Sequence, residues 1–103
     1  FAICRAGALT VAELTSAGLG ALLIPFPFAI DDHQTVNGQL LVEQGAALMI
    51  AQSDLTPALL AKQIMALCGD SEGRLKMAVS ARQLAKTGAA ERVADICLEV
   101  ANA

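Results

Sequence analysis

The segment from Arg5 to Glu13 concentrates the residues that could hold an anionic ligand. Gly7 stands between an apolar run and a helical pattern, so the backbone can turn sharply there and direct unpaired helix amides outward. In open α/β sheets, ligands bind outside the carboxyl ends of the strands, where this turn is expected to lie. The candidate ligand-binding residues of the turn are Gly7, Ala8, Leu9 and Thr10. The turn is a candidate phosphate site, although many helix starts of this pattern bind no ligand.

Glu13 and Arg5, at the two ends of this segment, each admit more than one interpretation. The spacing Thr10-x-x-Glu13 matches a capping box, in which each side chain satisfies a backbone amide of the first helical turn. Alternatively, Glu13 could accept hydrogen bonds from hydroxyl groups such as those of a ribose, since a carboxylate beside a diphosphate would repel it. Arg5 could be a surface charge, could brace the turn, or could neutralise a phosphate.

The run Asp31-Asp32-His33 raises the question of a metal site, because carboxylates and imidazole are common metal ligands. Adjacent residues rarely converge on one ion, and no second His or nearby Cys completes a ligand set. We therefore expect no metal, and we expect Asp32 to cap the following helix. His33 is the only histidine of the chain; it could act as a general base, begin the helix, or contact a substrate.

Two apolar strands joined by a short helix are expected to position these residues. Residues 1–4 and 21–25 are predicted strands, and residues 10–17 form the predicted helix between them. Both strands are continuously apolar, which indicates burial on both faces and hence a parallel sheet with right-handed crossovers. Gly18 and Gly20 mark the return from the helix to the second strand.

The rest of the chain repeats this pattern once and then becomes helical. Residues 33–43 are a predicted helix and residues 47–50 a third strand. Thr56-Pro57 predicts a further helix that ends at Gly69, because Thr can cap the free amides and Pro is well tolerated at the first helical position. Two more helices are expected at about residues 71–86 and 89–100. The predicted fold class is α/β, part of a doubly wound parallel-sheet (Rossmann-like) domain with a helical C-terminal tail.

The composition excludes several classes of function. The 103 residues are 55% hydrophobic and 3% aromatic, which suits helices packed on a parallel sheet. The net charge of -3 argues against the clustered basic surface that nucleic-acid binding requires. The cysteines are Cys4, Cys68 and Cys97, whose odd number and wide spacing support neither a disulfide framework nor a zinc site. The longest apolar run, residues 19–30, is shorter than the roughly 20 residues of a membrane-spanning helix.

Beyond single residues, the chain carries a series of motifs in a fixed order. They are Arg5-Ala6-Gly7-Ala8-Leu9-Thr10-Val11-Ala12-Glu13, Ala17-Gly18-Leu19, Leu23-Ile24-Pro25-Phe26-Pro27, Asp32-His33-Gln34-x-x-Asn37 and Glu43-x-Gly45-Ala46-Ala47, followed by Ala90-Glu91-Arg92-Val93-Ala94 in the tail. Together they resemble the C-terminal domain of glycosyltransferase family 28. The resemblance covers nearly the whole chain, and it points to the members that transfer N-acetylglucosamine (GlcNAc) from UDP-GlcNAc to lipid I, making lipid II in peptidoglycan synthesis.

The resemblance implies roles for the candidate residues of the first turn. The backbone from Ala8 to Thr10, and the hydroxyl of Thr10, would contact the UDP diphosphate. Glu13 would bind the ribose hydroxyls, and Arg5 would lie close enough to contribute to the same site.

The second motif would hold the sugar. By the resemblance, Gln34 would contact GlcNAc hydroxyls, and His33 stands where other members carry a second Gln. Asn37 matches the family motif and would steady the loop and the helix start. Gly38 departs from the family pattern, in which Ala is commoner, and is expected to loosen the helix slightly.

For the whole protein, the resemblance implies an inverting, metal-independent enzyme of GT-B architecture that needs no cofactor. Residues 1–103 would be part of its donor-binding C-terminal domain, and the general base and the lipid I site would lie in a missing N-terminal domain. The chain opens at Phe1 and not at Met, so we expect upstream sequence. The enzyme would bind peripherally to the cytoplasmic face of the bacterial inner membrane. Two alternatives are a donor-binding subunit of a two-chain GlcNAc transferase and a non-catalytic α/β interaction domain.

Overall fold

The computed structural model describes residues 1–27 and 33–87. In chain order the elements are β1 (Ala2–Cys4), α1 (Ala8–Ala17), β2 (Ala21–Leu23), α2 (His33–Glu43), β3 (Ala47–Met49), a 3-10 turn (Gln52–Asp54), α3 (Pro57–Cys68) and α4 (Ser71–Thr87). Within the described residues the strands form one sheet in the order β1-β2-β3, and both neighbouring pairs are parallel. The predicted α/β fold with a parallel sheet is confirmed. The helix expected at residues 89–100 lies outside the described residues.

The alternation of side chains along the strands divides the interior into two layers. One face carries a row of alanines, because Ala2 pairs with Ala21 and Ala21 pairs with Ala47. Their small side chains let α1 and α2 pack closely on the sheet, where Val11 and Leu41 are almost fully buried. Burying an aliphatic side chain of that size stabilises a fold by about 1.5–3 kcal/mol.

On the opposite face of the sheet, the central strand β2 is covered by helices, whereas the outer strands β1 and β3 are partly exposed to solvent. Leu22 is fully buried there against Leu67 of α3 and Met77 of α4. Its neighbours in register, Ile3 and Leu48, are 43% and 41% exposed. Burial on both faces, which was predicted for the first two strands, therefore holds for β2 and not for β1, which exposes Ile3 on this face. In β3, Leu48 is exposed on the same face.

Two glycines end helices in the left-handed backbone region, which other residues adopt only with strain. Gly18 has φ of +66° and follows α1, and Gly45 has φ of +76° and follows α2. Behind Gly18, the amide of Leu19 donates to the carbonyl of Leu14 at 2.9 Å and turns the chain back toward β2. The predicted return from helix to strand at Gly18 is confirmed.

The start of α3 has the predicted cap. The Oγ1 atom of Thr56 accepts a hydrogen bond from the amide of Leu59 at 3.1 Å, and Pro57 occupies the first helical turn. Within the described ranges, no helix combines the length and apolar character needed to cross a bilayer.

Candidate functional site

The turn from β1 into α1 presents a helix start without a side-chain cap. Gly7 is the N-cap residue, with φ of -64° and ψ of 152°. The first helical hydrogen bond runs from the amide of Val11 to the carbonyl of Gly7 at 2.9 Å, which leaves the amides of residues 8–10 without helical partners. The first turn contains no acidic residue that would offset the positive end of the helix dipole. This arrangement is suited to an anion outside the carboxyl end of β1.

The capping-box interpretation of Thr10 and Glu13 is wrong. The helix begins at Ala8, two residues earlier than predicted, because the carbonyl of Gly7 already accepts the first helical bond. Thr10 is therefore the third residue of α1, and no side chain caps this helix. Glu13 lies one turn further on and is exposed, so its carboxylate is not used for capping.

Thr10 and Glu13 instead face a cavity of about 270 Å³ beside β1. Residues three apart on a helix share a face, so both side chains reach the same space. The other residues lining the cavity are Ala2, Cys4, Leu14, Ala17 and Leu19. Burial raises the pKa of the Cys4 thiol, which keeps the thiol neutral and adds no negative charge beside Glu13.

The peptide of Ala6, on the other side of the turn, is held by two side chains of α2. Asn37, which is 2% exposed, donates from Nδ2 to the carbonyl of Ala6 at 3.1 Å. The Oε1 atom of Gln34 accepts from the amide of Ala6 at 3.3 Å and from the amide of Phe26 at 2.7 Å. Two N–H donors converge on this oxygen, which fixes the orientation of the Gln34 amide group. The start of α2 thereby anchors the residue that leads into the candidate anion site.

Arg5 braces the carboxyl ends of the strands. Its Nη1 atom donates to Oε1 of Gln52 at 2.6 Å and lies 3.4 Å from the carbonyl oxygens of both Ile24 and Pro25. Its guanidinium carbon lies 5.5 Å from the centre of the Phe26 ring. Of the three interpretations that the sequence leaves open, these contacts favour bracing.

Gln52 is a site residue that the sequence analysis missed. It begins the 3-10 turn, which is separated by two residues from the end of β3, and Arg5 directly follows β1. Its position in the sequence, shortly after a predicted strand, could have identified it. Polar residues that follow parallel strands meet at the same edge of the sheet. Gln52 also lines a second cavity, of about 260 Å³, together with Pro25, Phe26, Pro27, Thr35, Met49, Ala51 and Ser53.

His33 is the first residue of α2 and is half-buried. Asp31 and Asp32 lie outside the described residues, and with them the predicted Asp32 cap. Among the residues that the structure describes, no three His, Cys, Asp or Glu side chains converge into a group that could hold a metal ion.

Comparisons with known proteins connect this geometry to one family. The sequence model of the glycosyltransferase family 28 C-terminal domain matches residues 1–93. The chain is 57% identical over 100 residues to the UDP-N-acetylglucosamine--N-acetylmuramyl-(pentapeptide) pyrophosphoryl-undecaprenol N-acetylglucosamine transferase of Nitrosococcus oceani. It is 56% identical over 100 residues to the protein of that name from Marinobacter nauticus. Each match covers 97% of this chain and 28% of the relative.

A solved structure gives the same result for the fold. The crystal structure of Acinetobacter baumannii MurG superposes with a TM-score of 0.74 at 43% sequence identity, covering 94% of this chain and 28% of that chain. The chain thus spans somewhat more than a quarter of the length of the proteins that it matches. Its parallel sheet, its helix starts and the match over residues 1–93 together show that the chain belongs to the glycosyltransferase family 28 C-terminal domain family.

Proposed function

We propose that this chain is part of the donor-binding domain of an inverting transferase that moves GlcNAc from UDP-GlcNAc to lipid I. The product would be lipid II, a precursor of peptidoglycan. The observation that carries the proposal is the uncapped start of α1, with Glu13 free of a capping role one turn further along. The names of the curated relatives, which describe an N-acetylglucosamine transferase with an undecaprenol-linked acceptor, support the same assignment.

The UDP diphosphate would lie against the start of α1. The amides of residues 8–10 and the hydroxyl of Thr10 would donate to its oxygens, and the helix dipole would favour its charge. Gly7 supports this placement, because a Cβ there would meet only Oγ1 of Thr10, at 3.9 Å. Since the backbone angles of Gly7 suit any residue, the packing of the chain itself does not require glycine. Close approach of a ligand to the backbone would require it.

The two sugars of the donor would lie on either side of the diphosphate. Glu13 would accept hydrogen bonds from the ribose hydroxyls, for which a carboxylate group is a strong acceptor. Gln34 would donate from Nε2 to GlcNAc hydroxyls, because its Oε1 atom is already engaged by two backbone amides. His33 would contribute a further contact from the first turn of α2, whereas Asn37 would act through the peptide of Ala6.

Catalysis would depend mainly on positioning and electrostatics. The acceptor hydroxyl would attack the anomeric carbon of GlcNAc, the bond from that carbon to the diphosphate oxygen would break, and UDP would leave with its charge stabilised by the start of α1. The general base and the lipid I site would belong to an N-terminal domain of the complete enzyme. That enzyme would associate peripherally with the cytoplasmic face of the bacterial inner membrane.

Calorimetric titration of the complete protein with UDP-GlcNAc tests the donor site. Replacing Glu13 by Ala should weaken binding by about tenfold, which corresponds to about 1.4 kcal/mol. Glu43→Ala is the matched control, because Glu43 is also exposed but lies at the far end of α2. Equal affinity of Glu13→Ala and the unmodified protein would reject the ribose contact.

Transfer to lipid I, measured with the same protein, tests the reaction. Donor binding without transfer by the complete gene product alone would instead favour a donor-binding subunit of a two-chain transferase. Absence of any UDP-GlcNAc binding would favour a non-catalytic interaction domain.

A further inference from the structure

Arg5 and Gln52 are 47 positions apart in the sequence, and their side chains meet across the end of the central strand. Because the sheet order is β1-β2-β3, the bond between them passes over the carboxyl end of β2. It is the shortest contact of the guanidinium group, at 2.6 Å, whereas the carbonyls of Ile24 and Pro25 lie at 3.4 Å. Gln52 therefore determines where the guanidinium group of Arg5 sits.

The guanidinium group acts in turn on the loop that follows β2. It approaches the carbonyls of Ile24 and Pro25, and it lies 5.5 Å from the ring centre of Phe26. A cation at that distance from an aromatic ring is attracted by the π electrons, which restrains the orientation of the ring. The amide of Phe26 then donates to Oε1 of Gln34 at 2.7 Å. A continuous series of contacts thus runs from Gln52 through Arg5 and Phe26 to Gln34.

We propose that Gln52 is a positioning residue for the sugar end of the donor site, acting through Arg5 and the backbone of Phe26 on Gln34. This inference rests on the proposed function, since it assumes that Gln34 contacts the donor sugar. Gln52 itself need not touch the ligand. It holds Arg5 over the end of β2, and Arg5 in turn keeps the loop in the position from which the Phe26 amide binds and orients Gln34.

The hydrogen bond between Arg5 and Gln52 should be detectable in donor binding and not in the stability of the protein. Arg5 and Gln52 are both exposed, and an exposed hydrogen bond contributes little to global stability. Its loss should instead alter the arrangement of the loop and weaken donor binding equally in the ground state and the transition state. An effect of that kind raises KM and leaves kcat unchanged.

Steady-state kinetics of the complete enzyme, with UDP-GlcNAc varied at saturating lipid I, tests the proposal. Gln52→Ala should raise the donor KM by about five- to tenfold, an effect of about 1.0–1.4 kcal/mol, with kcat within about twofold of the unmodified enzyme. Gln52→Glu should restore a KM near the original value, because a carboxylate oxygen can accept a charge-assisted bond from Arg5. Gln83→Ala removes the same side chain from an exposed position on α4 and should change neither constant.

Hydrogen exchange of the Phe26 amide tests the contact series without any ligand. Gln52→Ala should accelerate exchange at Phe26, whereas Gln52→Glu and Gln83→Ala should not. An unchanged donor KM in Gln52→Ala, unchanged exchange at Phe26, or a fall in kcat at constant KM would overturn the proposal. If the unmodified enzyme shows no dependence on UDP-GlcNAc, the proposed function fails, and the exchange rates still decide whether Gln52 positions the loop.

Discussion

Met49 of β3 occupies the space where a side chain at Gly38 would begin: a Cβ on Gly38 would lie 2.7 Å from the Sδ atom of Met49. Gly38 is buried in α2, and its position would also bring a Cβ within 3.6 Å of Ala6 and Leu23. The absence of a side chain at Gly38 is therefore matched by a long, flexible side chain on β3.

Gly38→Ala forces the flexible side chain of Met49 to move, so it should stabilise the protein less than a Gly→Ala change in a helix with free space beside it. Alanine improves the helix propensity by about 1 kcal/mol, and the displacement of Met49 offsets part of that gain. In the double variant with Met49→Val, the shorter side chain clears the space, so the two substitutions should compensate each other. Thermal unfolding of the complete protein and of the three variants forms a double-mutant cycle. Strictly additive effects on the unfolding midpoint would contradict the proposed fit between these residues.

Asn37→Ala should destabilise the protein and weaken donor binding together. Removing Nδ2 leaves the carbonyl of Ala6 without this buried hydrogen bond, at a cost of about 1–3 kcal/mol, and frees the turn that precedes Gly7. Asn37→Asp should be worse than Asn37→Ala near neutral pH, because a carboxylate oxygen would face the carbonyl oxygen. The measurements are the thermal midpoint and the UDP-GlcNAc affinity. A stable Asn37→Asp variant with normal affinity would show that the bond to Ala6 does not matter.

Gly7→Ala separates folding from ligand binding. The backbone angles of Gly7 suit alanine, and the nearest atom to the new Cβ would be Oγ1 of Thr10 at 3.9 Å. Alanine is a poorer N-cap than glycine, which lowers the free energy of unfolding, but it also reduces the entropy of the unfolded chain, which raises it. Each effect is less than about 1 kcal/mol. The unfolding midpoint should therefore change little, while affinity for UDP and for UDP-GlcNAc falls. The control is Gly45→Ala, which should lower the midpoint because φ at Gly45 is +76°.

The Cys4 thiol should react only at higher pH than an ordinary thiol. Its pKa is raised by burial, so the fraction of thiolate at a given pH is smaller in the folded protein than in the unfolded chain. By linkage, the free energy of unfolding should fall as the pH rises above the unfolded thiol pKa, because the folded state retains the proton longer. The measurement is the rate of alkylation by iodoacetamide as a function of pH, followed by mass spectrometry of the Cys4 peptide. It gives the pH midpoint of thiol reactivity in the native and in the urea-unfolded protein. Coinciding midpoints would contradict the prediction.

The order and type of the strands and α-helices in the described residues were predictable from local pattern, whereas the 3-10 turn at Gln52–Asp54 was not predicted. The bounds of α2 match the prediction because Glu43 is followed within two residues by Gly45, whose positive φ ends the helix. The start of α3 was predictable because Thr56 and Pro57 are strong start signals that act within four residues. The start of α1 was predicted two residues late, because a glycine N-cap has no side-chain signal and Thr10 resembled a better cap.

The contacts of the candidate site were less accessible to sequence reasoning. The bond between Arg5 and Gln52 depends on the spatial order of the strands, which no local spacing reveals. The double role of Gln34 was also hidden, because the amides of Ala6 and Phe26 approach its Oε1 atom only after both loops are in place. Residue types could therefore suggest which groups meet a ligand, but only the fold shows which groups hold them there.

The attachment of the Ala6 peptide to α2 has a consequence for how tightly a ligand can be held. With its N–H engaged by Gln34 and its C=O by Asn37, the turn into α1 is ordered before any ligand arrives, and it is joined to the start of α2. The conformational entropy of ordering both helix starts is lost during folding and not during association. A donor that fits the two preorganised helix starts would then retain more of its contact energy as affinity. A ligand that requires the two helix starts to separate would first have to break the hydrogen bonds of Gln34 and Asn37 to Ala6.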